Sequence, residues 1–599
     1  MTTQGIRPSQ FILTYGPGAI IDTKVGPRII LDADIGLFKR FKAIDPELYR
    51  ISNRRMSEGA LDGANIYRIP TSSELDSMDA YQTRAFPEWK LCVRAHKGRG
   101  YLLYKRGSSK DSNACPSCGY TTAQEPVRFV RACSDGHIDD IDWYKNIHMG
   151  STCDKNSSYY WRRTGSSMHN ITIICTKCNK EKNFGAMYYA EDDCSGRHPQ
   201  KESSQTAYDN IECKKGAKII PRQASSLRVA ETKTLLVIDS DIYTCLEEIY
   251  HDLRLYERTG NLNKENFKTI VDANREENKI DVHCARKLLS ANWETICGEL
   301  RTLHTLENKE RLSYGKLIED EFHVLEEASK HGAPPKKQEN QVINFEVDKH
   351  DINDNVTTDN GLKFTITPIK KLTTVMVQKK FRREISDEGN NTPKEIDVSF
   401  NHKGAKWYPG VKYTGEGIFI RLTQGGEFPD SLKTPSFASW DEAHANSKRD
   451  EKYPQTVFRE AEERNELHPG FVWWHTLAHL LIRIIGEESG YSSASIRERI
   501  YFERTKDGFN GGVLLYATDP GSEGTMGGLI GMATHMRDFL NAAFEAGAIC
   551  SGDPLCAEAS FKDGGYNGAA CYACLLNSET SCEHRNMWLD RKVLGEIIQ

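Results

Sequence analysis

The sequence lacks the features that would place the protein in a membrane or direct it out of the cell. No apolar run approaches the ~18–20 residues that a helix needs to span a bilayer. The N-terminal stretch MTTQGIRPSQFILTYGPG has no charged segment followed by an apolar segment, the pattern that is typical of a signal peptide. We therefore expect a cytoplasmic protein that makes no membrane contact and keeps its thiols reduced.

A surplus of positive charge and a high apolar content are also missing. Lys and Arg number 79 against 84 Asp and Glu, which gives a net charge of -5. Because a protein that coats DNA by itself usually has a basic surplus, any DNA contact should be local or shared with a partner. Only 38% of the 599 residues are hydrophobic, and the mean hydropathy is -0.59. This composition suits several metal-stabilised modules with polar insertions better than one large enzyme core.

Motifs for nucleotide and ester hydrolysis are absent from the sequence. No G-x-x-x-x-G-K-[ST] stretch is present to wrap phosphates, and no G-x-S-x-G elbow or His-x-Lys pair supplies a hydrolytic nucleophile. Residues Asp441 to His444 spell the magnesium box of helicases, but the preceding KTPSFASW does not have the pattern of a buried strand that would carry it. We therefore predict that the chain is not an enzyme.

Cysteine, by contrast, is abundant and unevenly distributed. Of the 17 cysteines, 14 lie within residues 92–213 or 550–582. Three Cys-x-x-Cys pairs begin at Cys115, Cys175 and Cys571. Paired thiolates of this kind are the ligands of structural zinc sites with tetrahedral geometry. We therefore predict two to four structural zinc ions.

The C-terminal cysteines predict one closed zinc site. We assign four thiolates to it: Cys556, Cys571, Cys574 and Cys582. Cys550 and His584 are the alternates. Because four thiolates leave no coordination position for water, the site should be structural rather than hydrolytic.

The N-terminal cysteines predict further sites with looser spacing. One candidate contains four thiolates: Cys175, Cys178, Cys194 and Cys213. Another contains three thiols and an imidazole: Cys92, His96, Cys115 and Cys118. Cys133 and His137 could replace the first two of these, or could join His148 and Cys153 in a fourth site. Simple burial as a small apolar side chain is the alternative for Cys133 and Cys153.

Two histidines outside the cysteine-rich regions are spaced one helical turn apart. His475 and His479 have the H-x3-H spacing of zinc hydrolases, but Thr476 occupies the position of the catalytic Glu in H-E-x-x-H. Placement in a core or an interface is therefore the favoured interpretation. The alternative function for the protein is a metal-dependent nuclease or hydrolase that uses His475 and His479.

Hydrophobic periodicity predicts an α+β, multidomain fold. The predicted regions are an N-terminal segment (1–90), a Cys-rich region of zinc-ribbon-like modules (91–260), a helical insertion (261–345), a β-rich middle region (346–465) and a C-terminal zinc-binding domain (466–599). In the last region, LHPGFVWWHTLAHLLIRIIGEE predicts an amphipathic helix and GGVLLYAT a buried strand. In the middle region, KFTITPIKKL, TTVMVQKKF and GIFIRLTQ are predicted strands.

Several C-terminal motifs occur in the order of a known domain. They are His475-Thr-Leu-Ala-His479, Arg497-Glu-Arg499-Ile-Tyr, Gly512-Val-Leu-Leu-Tyr, Gly521-Ser-Glu-Gly524, Cys571-x-x-Cys574-Leu, Glu579-Thr-Ser-Cys582 and Leu589-Asp590-Arg591. Over residues 468–595 this order resembles the MrfA-type zinc-binding domain, which follows the motor in certain DNA-repair helicases. The resemblance implies an α/β helicase-associated fold, and it implies that the zinc ligands are Cys556, Cys571, Cys574 and Cys582.

N-terminal motifs narrow the resemblance. Arg7-Pro-Ser-Gln10, Tyr15-Gly-Pro-Gly18 and Arg128-Phe-Val-x-x-Cys133-x-x-Gly136-His137 resemble those of DrmB proteins, the helicase-free subunits of the DISARM anti-phage systems. The resemblance implies a non-catalytic zinc-binding subunit that partners DrmA, a helicase-type ATPase, for DNA binding through the complex and for phage restriction. It assigns no catalytic residue to this chain.

One short basic stretch is the best candidate for a direct DNA contact. QKKFRRE contains Lys379, Lys380, Arg382 and Arg383 within five residues. A solvated charged face is the alternative interpretation of such a run.

Overall fold

The computed structural model describes most of the chain, and the structural statements below concern those residues. They are residues 5–36, 46–70, 74, 81–96, 98–108, 114–121, 124–202, 212–238, 241–277, 280, 282–307, 314–333, 344–385, 393–423, 435–447, 468–489, 493–505, 508–517, 528–561, 566–578 and 580–595. The Gly-rich motif from Gly521 to Gly527 lies outside them. No helix within these ranges combines the length and the apolar character that crossing a bilayer requires.

Runs of strands and a run of six helices follow one another along the chain, which confirms the predicted α+β class. The strands are β1 Ile20–Thr23, β2 Gly26–Ile30, β3 Asn65–Arg68, β4 Thr83–Ala85, β5 Trp89–Ala95, β6 Tyr101–Lys105, β7 Glu125–Pro126, β8 Phe129–Ala132, β9 Ile138–Asp139, β10 Tyr159–Arg163, β11 Ile171–Cys175, β12 Glu181–Asn183, β13 Asp192–Asp193, β14 Gly216–Pro221, β15 Val229–Leu236, β16 Phe345–Glu346, β17 Asn353–Thr357, β18 Lys363–Arg382, β19 Ile396–Asp397, β20 Phe400–His402, β21 Ala405–Leu422, β22 Ile496–Thr505 and β23 Gly508–Ala517. The helices are α1 Pro8–Leu13, α2 Ala33–Gly36, α3 Arg54–Ala60, α4 Trp143–His148, α5 Phe184–Tyr188, α6 Asp241–Glu248, α7 Tyr250–Arg258, α8 Lys264–Glu276, α9 Val282–Ser290, α10 Trp293–Glu307, α11 Tyr314–His331, α12 Pro435–Ser447, α13 Pro469–Ser489, α14 Gly528–Gly531, α15 Met536–Ala548, α16 Leu555–Glu558 and α17 Lys592–Gly595.

The chain divides into two compact units, each built from segments that are distant in sequence. Unit 1 comprises Met1–Ser52, Ala64–Lys233 and Met376–Val411, and unit 2 comprises Asn53–Gly63, Thr234–Val375 and Lys412–Gln599. The long strands β18 and β21 each contribute residues to both units. The five consecutive regions proposed from the sequence stay a prediction.

Unit 1 contains three small antiparallel sheets in its first 233 residues. Their strand orders are β1-β2-β4, β12-β11-β10-β6-β5-β7 and β13-β14-β8-β9. Under the six-stranded sheet lies a small aromatic core, in which the Phe184 ring lies 5.1 Å from Trp161 and 6.2 Å from Trp143. Strands of two to seven residues bury little surface, so the turns between them need another source of stability.

Unit 2 is organised around α13, the helix predicted from LHPGFVWWHTLAHLLIRIIGEE. It packs on β22 and β23 on one side and on α15 and α17 on another. The predicted position is correct, but the expected polar face is not present, because every residue from Pro469 to Ile482 is buried. A helix that is buried all round must satisfy its polar side chains inside the protein. In α13 these side chains are His475, Thr476 and His479.

The predicted helical insertion and strands differ from the structure in detail. Helices α6 to α11 cover the predicted helical segments, and Cys245 forms a disulfide with Cys284 among them, which departs from the expectation that all thiols are reduced. KFTITPIKKL and TTVMVQKKF form a single strand, β18, instead of two. KTPSFASW belongs to helix α12, so the magnesium-box letters that follow it do not end a strand.

Candidate metal centres

Five groups of four side chains bring their ligand atoms within 4.8 Å of one another in the described part of the chain. We name them cluster A (Cys92, His96, Cys115, Cys118), cluster B (Cys133, His137, Cys194, Cys213), cluster C (His148, Cys153, Cys175, Cys178), cluster D (Cys550, Cys556, Cys571, Cys574) and cluster E (His475, His479, Glu498, Cys582). The first three lie in unit 1 and the last two in unit 2.

The sulfur spacings in clusters A to D fit tetrahedral zinc. A Zn–S distance of ~2.3 Å gives a sulfur–sulfur edge of roughly 3.8 Å in a tetrahedron, whereas a disulfide holds its sulfurs at ~2.05 Å. The measured Sγ–Sγ distances are 3.8 Å in cluster A, 3.4 Å in cluster B, 3.9 Å in cluster C, and 3.5 to 3.7 Å in cluster D. These clusters therefore have the geometry of zinc sites and not of disulfides.

Clusters A and C are built on the same kind of Cys-x-x-Cys turn. In cluster A, Cys115 N–H donates to the Tyr120 carbonyl at 2.9 Å, and Gly119 N–H donates back to the Cys115 carbonyl at 2.9 Å. Gly119 adopts a left-handed conformation with φ 67°, where only a residue without Cβ is free of strain. In cluster C, Asn179 takes the same position with φ 59°. In both clusters the turn brings the two sulfurs of the Cys-x-x-Cys pair within 4.8 Å of each other.

A histidine completes each of these two clusters. His96 follows β5, and its Nε2 lies 3.7 Å from Cys115 Sγ. His148 ends α4, where its Nδ1 donates to the Tyr144 carbonyl at 2.9 Å. Because a carbonyl only accepts hydrogen bonds, this contact leaves His148 Nε2 with a lone pair for a metal, the arrangement that orients most histidine ligands.

Cluster B joins the β8–β9 turn to two flanks of another hairpin. Cys133 and His137 lie on the turn, with 3.3 Å between Cys133 Sγ and His137 Nδ1. Gly136 has φ 86°, and a Cβ there would approach Ile396 Cδ1 to 2.4 Å, so the turn requires glycine. Cys194 follows β13 and Cys213 precedes β14.

Hydrogen bonds stabilise thiolates in three of the clusters. Donation by Cys194 lowers the pKa of Cys133 to about 4, although burial acts in the opposite direction. Burial also raises the pKa of Cys175 and of Cys571, but this effect is outweighed by hydrogen-bond donors. The backbone N–H groups of Cys178 and Lys177 bring the pKa of Cys175 to about 6, and the Cys550 thiol together with backbone N–H groups brings that of Cys571 to about 7.

The grouping of ligands corrects two predicted sets. Cys175, Cys178, Cys194 and Cys213 do not form one site, because the first two lie in cluster C and the last two in cluster B. The C-terminal set contains Cys550 with Cys556, Cys571 and Cys574, whereas Cys582 lies in cluster E. The set Cys92, His96, Cys115 and Cys118 is brought together as grouped from the sequence.

The sequence analysis favoured a core role for the two histidines of cluster E, named them as metal ligands only in its alternative function, and did not group them with Glu498 and Cys582. Glu498 was quoted only as part of the Arg497-Glu-Arg499 motif and not as a ligand, because a buried glutamate in a strand cannot be distinguished from an exposed one by residue type alone. Its side chain is fully buried and its Oε1 lies 2.9 Å from His475 Nε2 and 3.1 Å from His479 Nε2. All four side chains are buried, and four protein ligands would fill a tetrahedral shell without a position for water. The cluster therefore does not have the geometry of a hydrolytic site.

The basic side chains of QKKFRRE do not form one exposed face, because Lys379 and Arg383 are buried while Lys380 and Arg382 are partly exposed. The Arg383 guanidinium is fully buried and donates to the carbonyls of Gly136, Leu227 and Gly18. Lys380 pairs with Glu395 at 2.8 Å, and Arg382 pairs with Glu384 at 2.8 Å. These contacts serve the packing of unit 1.

Comparison with known proteins agrees with these clusters. The model of a domain of unknown function (DUF8724) matches residues 7–229, and the MrfA Zn-binding domain model matches residues 477–575. The second range contains all four cysteines of cluster D but ends before Cys582. The DISARM protein DrmB of Bacillus paralicheniformis is 27% identical over 551 residues, which are 86% of this chain and 88% of that protein.

A solved helicase structure is also similar to part of the chain. It is the crystal structure of the DUF1998 helicase MrfA bound to DNA, at 9% identity and a TM-score of 0.21, and the match covers 40% of this chain and 24% of that chain. The resemblance to DrmB and the presence of an MrfA Zn-binding domain, both predicted from short motifs, are confirmed by the DrmB alignment and the domain match. The chain is similar to DrmB over most of its length, contains an MrfA Zn-binding domain and has side-chain clusters suited to holding zinc ions.

Proposed function

We propose that this chain is a non-catalytic, zinc-binding subunit of a DISARM-type anti-phage complex in the cytoplasm. In this proposal a helicase-type ATPase, DrmA, hydrolyses ATP and moves on DNA, and this chain provides a rigid scaffold that the complex needs to bind DNA and to restrict phage. The observation that carries the proposal is similarity to DrmB over 86% of the chain.

The clusters support a scaffolding role. Each of the five consists of four protein ligands, which fill a tetrahedral shell and leave no position for a substrate or for water. Such sites fix loops relative to one another and contribute directly to folding free energy. The sequence has no phosphate-binding loop, so ATP hydrolysis is assigned to the partner.

The charge distribution supports DNA binding that is shared with the partner. The net charge is -5, and in the basic stretch QKKFRRE Arg383 is buried and Lys380 is paired with Glu395. A chain with these properties gains little from counterion release when it meets DNA alone. We therefore expect DNA affinity to appear only in the complex.

Co-expression with the helicase-type ATPase of the same defence system tests the proposal. We expect the two proteins to copurify, the complex to bind DNA with an affinity that falls as salt rises, and phage plating to recover when this chain is deleted. A chain that stays monomeric beside the ATPase, or that restricts phage without it, would contradict the proposal.

The nuclease or hydrolase alternative has a separate test. It requires divalent-metal-dependent DNA cleavage by the purified chain that disappears in His475→Ala. We expect no cleavage by the wild-type chain, with or without ATP and the partner. Cleavage that survives purification to homogeneity and depends on His475 would replace the scaffolding proposal.

A further inference from the structure

We propose that cluster E is a fifth structural metal site, in which a divalent ion of the zinc class is bound by His475 Nε2, His479 Nε2, Glu498 Oε1 and Cys582 Sγ. The two histidines lie one turn apart on α13, Glu498 lies on β22, and Cys582 lies in the segment that precedes α17. The site is distinct from cluster D and does not depend on the function proposed above.

The first argument is the position of the proton on each of the two histidine rings. His475 Nδ1 lies 3.3 Å from the Trp588 carbonyl oxygen, and His479 Nδ1 lies 2.8 Å from that of Leu575. Because a carbonyl oxygen can only accept, each Nδ1 carries a proton and each neutral ring presents a lone pair at Nε2. Both lone pairs then face the same carboxylate oxygen of Glu498, at 2.9 and 3.1 Å. Two lone pairs directed at a carboxylate repel one another unless a cation lies between them.

Extra protons are a poor substitute for that cation. Two imidazolium rings beside one carboxylate would leave a net positive charge where all three side chains are 0% exposed, and each uncompensated buried ion costs several kcal/mol. A protonated Glu498 could donate to only one of the two rings. The second carboxylate oxygen, Oε2, is also buried and has no hydrogen-bond partner among the described residues. The hydrogen-bonding groups present therefore do not satisfy the carboxylate.

A divalent ion balances the charges of the site. The carboxylate of Glu498 and a thiolate at Cys582 contribute two negative charges, and neutral His475 and His479 contribute none. The sum with a doubly charged ion is zero, which removes the cost of burying any one group alone. Two imidazoles, one carboxylate and one thiolate form a mixed nitrogen, oxygen and sulfur set that suits zinc.

The backbone around Cys582 is arranged as it is around cysteines of the other clusters. The N–H groups of His584 and Asn586 both point at Cys582 Sγ at 3.3 Å. A backbone N–H two residues downstream also donates to sulfur at Cys550 in cluster D and at Cys194 in cluster B, at 3.3 and 3.4 Å. Such contacts favour the thiolate, which is the form that binds metal.

The distances between the four ligand atoms, and the carbonyls that bind the two histidine rings, fit a tetrahedral site. Bond lengths of ~2.0 Å to nitrogen and oxygen predict tetrahedral edges of roughly 3.3 Å. The edges from Glu498 Oε1 measure 2.9 and 3.1 Å, and the edge from His475 Nε2 to Cys582 Sγ measures 3.3 Å. Ligand shifts of a few tenths of an ångström would admit the ion. The carbonyls of Trp588 and Leu575 orient the rings, as carbonyls do around most histidine ligands.

Metal counting on the full-length protein is the test. Native mass spectrometry should find one metal ion fewer in Cys582→Ser than in wild type, and Cys297→Ser should retain the wild-type number. If all five clusters are occupied, the wild-type number is five. Glu498→Gln should lose the same ion. In a core without metal the same substitution would be tolerated, because the glutamine amide can donate a hydrogen bond to a histidine lone pair.

Anomalous diffraction at the zinc edge keeps the proposal testable if these variants fail to fold. We expect an anomalous peak in crystals of the wild-type protein at the point between His475, His479 and Cys582. A folded wild-type protein with peaks at cluster D and no peak at cluster E would overturn the proposal. Retention of the full metal count in Cys582→Ser would overturn it as well.

Discussion

Units 1 and 2 hold their clusters in opposite ways. In unit 1, clusters A, B and C sit in turns between short strands, and Cys118 and Cys178 are exposed. In unit 2, cluster E lies inside an apolar core that includes Trp473, Trp474 and Leu481. The difference suggests that bound metal replaces apolar burial in unit 1 and adds to it in unit 2.

The apolar core beside cluster A is too small to stabilise the surrounding strands without metal. The small core beside it consists of Leu102, Tyr104 and two of its own ligands, Cys92 and Cys115, with Tyr160 packed against them. Four small or medium side chains cannot offset the conformational entropy of the strands that they join. Without an ion, two of the four would also be thiols with no role beyond packing. We therefore expect unit 1 to depend on metal for its fold.

Metal removal should give the largest difference in stability between the two units. Structural zinc contributes ~10–16 kcal/mol of binding free energy in small zinc modules, which exceeds the stability of most domains. After treatment with a strong chelator, we expect amide hydrogen exchange in β5, β6, β10 and β11 to approach the unfolded rate. Amides of α13 from Phe471 to Ile482 should stay protected. Hydrogen-exchange mass spectrometry measures both at once.

A chelator presaturated with zinc is the control for that experiment, because it should leave both units protected. Strands β10 and β11 that remain protected after the metal is shown to have left would contradict the dependence of unit 1 on metal. Equal loss of protection in α13 would show that unit 2 depends on metal as strongly, and the contrast between the units would be wrong.

Buried arginine in unit 1 gives the next largest expected effect. Arg383 donates to three backbone carbonyls, and Arg383→Ala would leave those carbonyls buried without their donor. We expect a loss of ~3–5 kcal/mol in the free energy of unfolding of unit 1. Arg382→Ala, one residue away, removes a partly exposed pair with Glu384 and should cost at most ~1 kcal/mol. Denaturant unfolding followed by hydrogen exchange in β8 distinguishes the two, and equal effects would contradict the assignment.

The same two arginines show what the sequence could and could not predict. Linear proximity marks QKKFRRE as one basic patch, but successive residues of an extended chain point to opposite sides. Lys379, Phe381 and Arg383 are buried, whereas Lys380 and Arg382 are partly exposed. By contrast, α13 was predicted because a long run of side chains repeats the helical signal, and β23 was predicted from a short, continuous apolar run.

The sequence marked most of the clustered cysteines as candidate ligands, but of the predicted sets only Cys92, His96, Cys115 and Cys118 is brought together as grouped. A Cys-x-x-Cys pair indicates a zinc site from local sequence, whereas strand pairing determines which other two ligands complete the site. Pairing of β10 with β11 places Tyr159 opposite Cys175 and so brings residues near 153 to cluster C. Pairing of β14 with β8 places Lys218 opposite Ala132 and brings the flanks of β14 to the Cys133 turn. Cluster C is thus nested within cluster B along the chain, and grouping by nearest neighbours fails.

Unit 2 has a buried ion pair that sharpens the comparison with Arg383. Arg499 donates to Glu321 at 2.7 Å and to the Thr234 carbonyl at 2.7 Å, and both charged side chains are 1% exposed. Glu321→Gln leaves the guanidinium with less negative charge, and we expect a loss of ~3 kcal/mol from unit 2. Zinc content should not change, since neither residue belongs to a cluster. A thermal unfolding scan with a parallel metal assay measures both, and release of metal in this variant would contradict the separation of the two stabilising systems.

Asp140 in unit 1 should produce the smallest effect, and one that depends on pH. Burial, together with the neighbouring charges of Asp139 and Glu88, raises the pKa of the Asp140 carboxyl to about 7 from an ordinary value of 3.8. The folded protein therefore binds a proton that the unfolded chain releases between about pH 4 and pH 7, and this contribution to stability is lost as the pH rises through that window. Asp140→Asn removes the titration but retains an oxygen for the Glu88 N–H, which donates to Asp140 at 3.0 Å. Measured as the difference between variant and wild type, so that metal-dependent effects common to both cancel, the variant should gain ~1–2 kcal/mol in relative stability between pH 5 and pH 7. A difference that stays constant with pH would mean that Asp140 is ionised throughout, with Arg197 at 3.9 Å compensating its charge more fully than burial opposes it.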